Sequence, residues 1–264
     1  MDRGVLFMTR LLQEVWEYRS LWKAILYQQA LARYQGTALG FFWTLLYPLL
    51  TFLTFSLIFS VLNNQSFGTY GVYFLSGYVP WMFLSNTASL SCDAFLSNSV
   101  YVTRVRVPRL LLPMAVVALQ LVDLAAGLTL LLLMMAIADA PFSAALAILP
   151  VSLGILVVVG AGIAVFCATV SVFFRDFRHL LNSLLFLLFF FIPVLWNPDA
   201  SPALRQLADL NPLAHLISLF QQPIAYQRLP TINQYGYLFI AGVLIDVLSL
   251  RFFKRREREF YFYV

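Results

Sequence analysis

The chain has 264 residues and a formal net charge of +5; 61% of it is apolar or aromatic and 11% is charged. Soluble domains carry about 25% charged residues, and 17 basic plus 12 acidic side chains cannot solvate the surface of a globule this size. A soluble fold and intrinsic disorder are both excluded, and lipid is the expected solvent.

Apolar runs of about 20 residues without alternation read as helices, since barrel strands alternate over about 10. The N-terminus is no cleavable signal, because Arg10, Glu14, Glu17 and Arg19 interrupt any apolar core. Leu11, Val15, Tyr18, Trp22 and Ile25 recur at helical spacing with Glu14, Glu17 and Lys23 off that face, which predicts an amphipathic helix in the membrane interface. Spans are expected over 41–62, 74–96, 110–138, 147–174, 180–196 and 236–253. The second is the least apolar; Ser85, Asn86, Thr87, Ser89, Ser91 and Asp93 imply that it faces protein or water. Residues 198–235 hold five prolines and are too long for a structureless link, so short re-entrant helices are expected there.

The fold class is thus an all-α polytopic membrane protein of six transmembrane helices. It forms one domain: a cytoplasmic approach segment 1–40, a membrane domain 41–253 and a cytoplasmic tail 254–264. Of the 17 basic residues, 15 fall in the termini and the links after spans two and four, which puts both termini in the cytoplasm. That distribution accounts for the net charge without nucleic acid.

No Gly-Lys pair occurs, the only lysines being Lys23 and Lys254, so no phosphate-cradling loop exists and the chain does not hydrolyse ATP. Cys92 and Cys167 stand apart as small buried side chains. His179 and His215 have no ligand spacing, and no nucleophile elbow appears. Asp93, Asp123 and Asp246 fall at membrane depth with no basic partner nearby in sequence. They are either functional groups or carboxyls that bind helices together, and the second reading is favoured for Asp123 and Asp246. Trp43 and Tyr47 on span one, and Phe186, Phe189, Phe190 and Trp196 on span five, form candidate channel-lining strips; a belt or packing role is the alternative.

The run Arg33-Tyr34-Gln35-Gly36-Thr37-Ala38-Leu39-Gly40-Phe41-Phe42-Trp43 with Tyr47-Pro48 resembles the start of span one in permease subunits of bacterial ABC exporters of O-antigen, teichoic acid and capsule, a type-2 ABC permease family. Ser76-Gly77-Tyr78-Val79-Pro80-Trp81, Arg106-Val107-Pro108-Arg109, Phe173-Phe174-Arg175-Asp176 and Asn211-Pro212-Leu213 extend the likeness in order. It implies a half-transporter in the bacterial inner membrane. Two copies would pair around a channel, and two cytosolic ATPases would bind the ATP and Mg that this chain, without cofactor or metal of its own, does not. The cargo would be a polysaccharide on undecaprenyl diphosphate, O-antigen first and teichoic acid or capsule next. By the same likeness, Tyr101, Arg104, Arg106, Pro108, Arg109, Arg175 and Asp176 belong to the gate or to the ATPase contact. Arg33, Arg104 and Arg106 are candidates for the lipid diphosphate, because guanidinium groups grip phosphate oxygens, or they serve topology alone. The competing classes are a proton- or ion-coupled carrier using Asp123 and Asp246, and a membrane enzyme acting on lipid-linked sugars, which lacks a carboxylate or histidine cluster.

Overall fold

The computed structural model describes residues 17–62, 64–103 and 108–263, and among these there are helices and turns but no strands. Helix α1 (Arg19–Tyr34) lies against the end of the bundle that also holds the C-terminal turn, here the basal end. Its face of Leu21, Trp22, Ile25 and Leu26 packs inward with Ile25 wholly buried; of the expected apolar face Trp22 and Ile25 pack, Tyr18 is exposed, and Leu11 and Val15 fall outside the described residues. The chain then reverses through Gly36 and Gly40, whose φ values of 79° and 49° lie in the left-handed region that glycine enters freely.

Helices α2 (Trp43–Leu62) and α3 (Phe67–Ser91) form a hairpin. The expected second span began at Phe74; the helix starts seven residues earlier because the Ser66 side chain accepts from Thr69 N at 3.1 Å and caps it. It also ends at Ser91 rather than 96, passing into turns. Helix α3 is the axis of the molecule: 17 of its 25 residues are buried among the surrounding helices. The short α4 (Ser99–Thr103) leads to α5 (Leu111–Ile137), α6 (Leu149–Phe173) and α7 (Phe177–Phe191). Helix α10 (Ile232–Arg256) packs along α6, where a Cβ on Gly162 would sit 2.6 Å from Asp246 Oδ1; glycine is what permits this approach. The fifth span was expected to run to Trp196, but it stops at Phe191. Ile192 precedes Pro193, which disfavours helical backbone, and it is extended at φ −100° and ψ 141°.

Among the described residues, four helices are long and apolar enough to cross a membrane: α2, α5, α6 and α10. The other two expected spans fall outside that set for separate reasons. Helix α3 is long enough but polar, which its burial inside protein allows, and α7 has only 15 residues. Between α7 and α10 the anticipated short helices are present, α8 (Pro202–Leu210) and α9 (Pro212–Ile224). Helix α8 is largely exposed, whereas α9 drives Leu216, Ile217, Leu219 and Phe220 into the main core.

A second, smaller core closes the basal end. It joins Ile25 of α1, Phe95 and Val102 of the α3–α5 link, the ends of α5 and α6, and Phe253 and Phe260 of the C-terminal segment. Residues Glu257–Phe262 form a 3-10 turn whose Phe260 ring packs tilted against Phe95, with centroids 4.9 Å apart, and is wholly buried. The tail is therefore part of the packed body.

Candidate functional site

The break after α7 puts unpaired backbone carbonyls at the end of the bundle opposite the basal one, here the distal end. Such groups need partners inside the protein. Tyr70 Oη donates to Leu195 O at 3.1 Å, and Tyr73 Oη to Pro193 O and Trp196 O at 2.9 and 2.6 Å. The buried Gln221 of α9 adds Nε2 to Pro193 O at 2.6 Å. Asn211 works twice: its Oδ1 accepts from Leu213 N at 3.0 Å, capping α9, while its Nδ2 donates to Phe191 O at 3.1 Å and closes α7. This is a physical reason for asparagine in the Asn211-Pro212-Leu213 motif.

Among the six aromatic candidates, the structure separates two groups. Trp43, Tyr47, Phe186 and Phe190 are exposed along α2 and α7. Phe189 instead turns inward and meets Phe55, Tyr78 and Trp81 at ring distances of 5.9 to 6.3 Å. Trp196 spends its indole N–H on Phe190 O at 2.9 Å, anchoring the helix end. No residue of α7 is buried.

Two of the three acids expected at membrane depth, Asp123 and Asp93, find bases far away in sequence. Asp123 of α5 receives Arg33 Nη1 at 2.9 Å, across 90 positions, and both side chains are at most a quarter exposed. The pair lies in a cavity of about 190 Å³ with Trp43, Tyr47, Pro48 and Asn86. Arg33, Trp43 and Tyr47, nominated separately from the sequence, thus share one depression. Asp93 pairs with Arg178, a residue the sequence reading left unassigned, and this ties the end of α3 to α7. The signal was there only as charge, because 85 residues separate the two. Asp246 makes no hydrogen bond or ion pair among the described residues and rests against Gly162. Cys92 and Cys167 are buried and free, and the α3–α6 packing brings the two thiols into contact.

The coupling candidates cluster at the basal end. Arg109 reaches Glu257 O and Val102 O and lies 6.0 Å over the Phe260 ring, so it clamps the C-terminal turn to the α4 link. Tyr101 Oη donates to Gln28 Oε1 of α1 at 3.3 Å. Pro108 starts the turn into α5, its carbonyl accepting Leu111 N at 3.0 Å. Arg175 and Asp176 are exposed on the α6–α7 turn. Arg104 and Arg106 lie outside the described residues. Among the described residues no His, Cys, Asp and Glu group is placed to hold a metal.

The ABC-2 type transporter family matches residues 20–224. The O-antigen export system permease protein RfbA of Myxococcus xanthus is 31% identical over 258 residues, 96% of this chain and 98% of that protein. A permease of the same name from Klebsiella pneumoniae is 22% identical over 231 residues, 86% of this chain and 88% of its own. From Arg33 near the end of α1 to Ile224 at the end of α9, the segments just described fall inside the matched region, and the chain belongs to the ABC-2 type transporter family.

Proposed function

We propose that this permease is one half of an ATP-driven exporter that carries polysaccharide linked to undecaprenyl diphosphate across the bacterial inner membrane, with O-antigen as the first candidate cargo and teichoic acid or capsule next. The observation that carries the reading is the match along nearly the whole chain to a permease named for O-antigen export. On this reading α3 and α7 are spans two and five, and the cytoplasmic side is the basal end, where Arg109, Arg175 and Arg178 lie. Helix α7 is too short and too exposed to stand alone in lipid. Its open face, with Phe186 and Phe190, and the α2 face with Trp43 and Tyr47, suit a channel between two copies. Aromatic faces slide along sugar C–H surfaces without fixing them in one register.

The basal surface around Tyr101, Pro108, Arg109, Arg175 and Asp176 then serves as the contact for two separate ATPase subunits, which bind ATP and Mg. Arg33 spends Nη1 on Asp123, and on this reading the rest of its guanidinium meets a lipid diphosphate at the interface; Arg104 and Arg106 belong to the same proposal. The carrier alternative loses its main residue, since Asp123 is already engaged by Arg33. The test is ATP hydrolysis in reconstituted membranes. The permease alone gives none, the ATPase subunit alone gives a basal rate, and the two together give a rate that polymer-loaded lipid raises. Hydrolysis by the permease alone contradicts the reading.

A further inference from the structure

We infer that the distal end carries a binding site for a neutral sugar unit, built as two cavities on either side of Tyr226. The inference rests on the exporter reading, which makes this end the exit, and concerns a site apart from the channel face. Each cavity holds about 340 Å³, near the lower end of the roughly 300–1,000 Å³ of small-molecule sites, so each suits a sugar unit and neither suits a polymer.

The first cavity is lined by Gln65, Tyr73, Asp139, Asn197, Tyr226 and Gln227. The second is lined by Asp199, Arg205, Asp209, His215, Gln222 and Arg228, with Tyr226 as the shared wall. Amides, carboxylates and guanidinium groups present paired donors or acceptors on a plane, the arrangement that grips adjacent hydroxyls, and tyrosine rings offer apolar faces to C–H groups. The charge balance disfavours a phosphate: the first cavity has Asp139 and no cation, and in the second the cations Arg205 and Arg228 are matched by the carboxylates Asp199 and Asp209, with Arg205 paired to Asp199 at 3.2 Å. An acyl chain would strand the polar groups. The side chains of Gln65, Asp139, Asp209, Gln227 and Arg228 make no hydrogen bond or ion pair among the described residues and are free for a ligand.

The backbone supplies an independent observation. Asp139 and Gln227 hold φ of 50° and 53°, the left-handed region in which glycine is the relaxed choice. Two of the three non-glycine residues with positive φ among the described residues thus line one cavity, and each keeps a polar side chain where glycine would fit better. Tyr226 is fixed between the cavities by its hydroxyl bond to Asn197 Oδ1 at 3.1 Å and by edge contact with Tyr73 at 6.2 Å. Burial, and then the Asp199 carboxylate, raise its phenol above the ordinary value, so it remains a donor at neutral pH.

The test titrates the full-length permease, in detergent, with lipid-free polysaccharide released by mild acid from the lipopolysaccharide of the producing bacterium. Inorganic phosphate serves as the competitor. The wild type binds saturably and phosphate does not displace the sugar. Asp139→Gly and Gln227→Gly each weaken binding about tenfold, the loss of one or two hydrogen bonds. Their thermal midpoints stay equal to the wild type or rise, because glycine relaxes the backbone at both positions; a merely structural role would lower them. Absent saturation, equal affinity in the variants or displacement by phosphate overturns the site. ATP-driven export, measured alongside, separates the two readings. Export without sugar binding removes this site and leaves the exporter. Sugar binding weakened by the glycine variants, in a protein that exports nothing with its ATPase, keeps the site and removes the exporter.

Discussion

Tyr73→Phe deletes a single oxygen and leaves the ring packing in place. The hydroxyl has one proton to share between Pro193 O and Trp196 O, at 2.9 and 2.6 Å. Without it, Pro193 O still receives Gln221 Nε2, but Trp196 O has no other partner among the described residues. One part-buried acceptor is orphaned, at a cost of about 1–3 kcal/mol. Gln221→Met removes the second donor to Pro193 O at near-constant volume while Tyr73 Oη still serves that carbonyl, at the smaller cost of one hydrogen bond, about 0.5–1.5 kcal/mol. In the double variant Pro193 O loses both partners, so the combined loss exceeds the sum of the singles by about 1 kcal/mol. Reversible unfolding in mixed micelles, followed by circular dichroism, measures all four proteins. A sum that is additive within about 0.5 kcal/mol refutes the claim that these side chains jointly satisfy the broken end of α7.

Three further outcomes follow from the same reasoning. Arg33→Gln strands the Asp123 carboxylate, whose side chain is only 15% exposed, and lowers stability by about 1–3 kcal/mol; adding Asp123→Asn restores most of it, which a double-mutant cycle reads directly. Asn211→Asp keeps the α9 cap but loses the donor to Phe191 O, while Asn211→Ala loses both, so the alanine variant unfolds about 1 kcal/mol more easily than the aspartate one. Gln120 of α5 is wholly buried with neither amide atom hydrogen-bonded among the described residues, and Gln120→Met raises stability by about 1–2 kcal/mol in the same unfolding assay.

What the sequence made legible was whatever depends on local pattern. Helices α2, α5 and α6 lie within two residues of the expected spans because an uninterrupted apolar run leaves lipid or core as the only solvent. Helix α3 was harder: Gly68, Thr69 and Gly71 look like a loop, and only the Ser66 cap marks the start. Prolines divided along the same line. Pro48, Pro80 and Pro223 sit inside helices, whereas Pro193 ends one, and the difference lies in the donors from α3 and α9 that wait for the freed carbonyls. The ion pairs Arg33–Asp123 and Arg178–Asp93 were invisible because hydropathy carries no information on which helices touch. The aromatic candidates show the same limit, since spacing placed Phe189 and Phe190 together and packing sent one inward and left the other exposed.

The most direct measurement of the central claim is transport in sealed inside-out vesicles containing the permease and its partner ATPase, loaded from outside with lipid-linked polysaccharide. The exporter reading requires that polymer become protected inside the vesicles only when ATP is hydrolysed, and that collapsing the proton gradient leave the rate unchanged. Polymer protected under an imposed proton gradient, with the ATPase omitted, would contradict it.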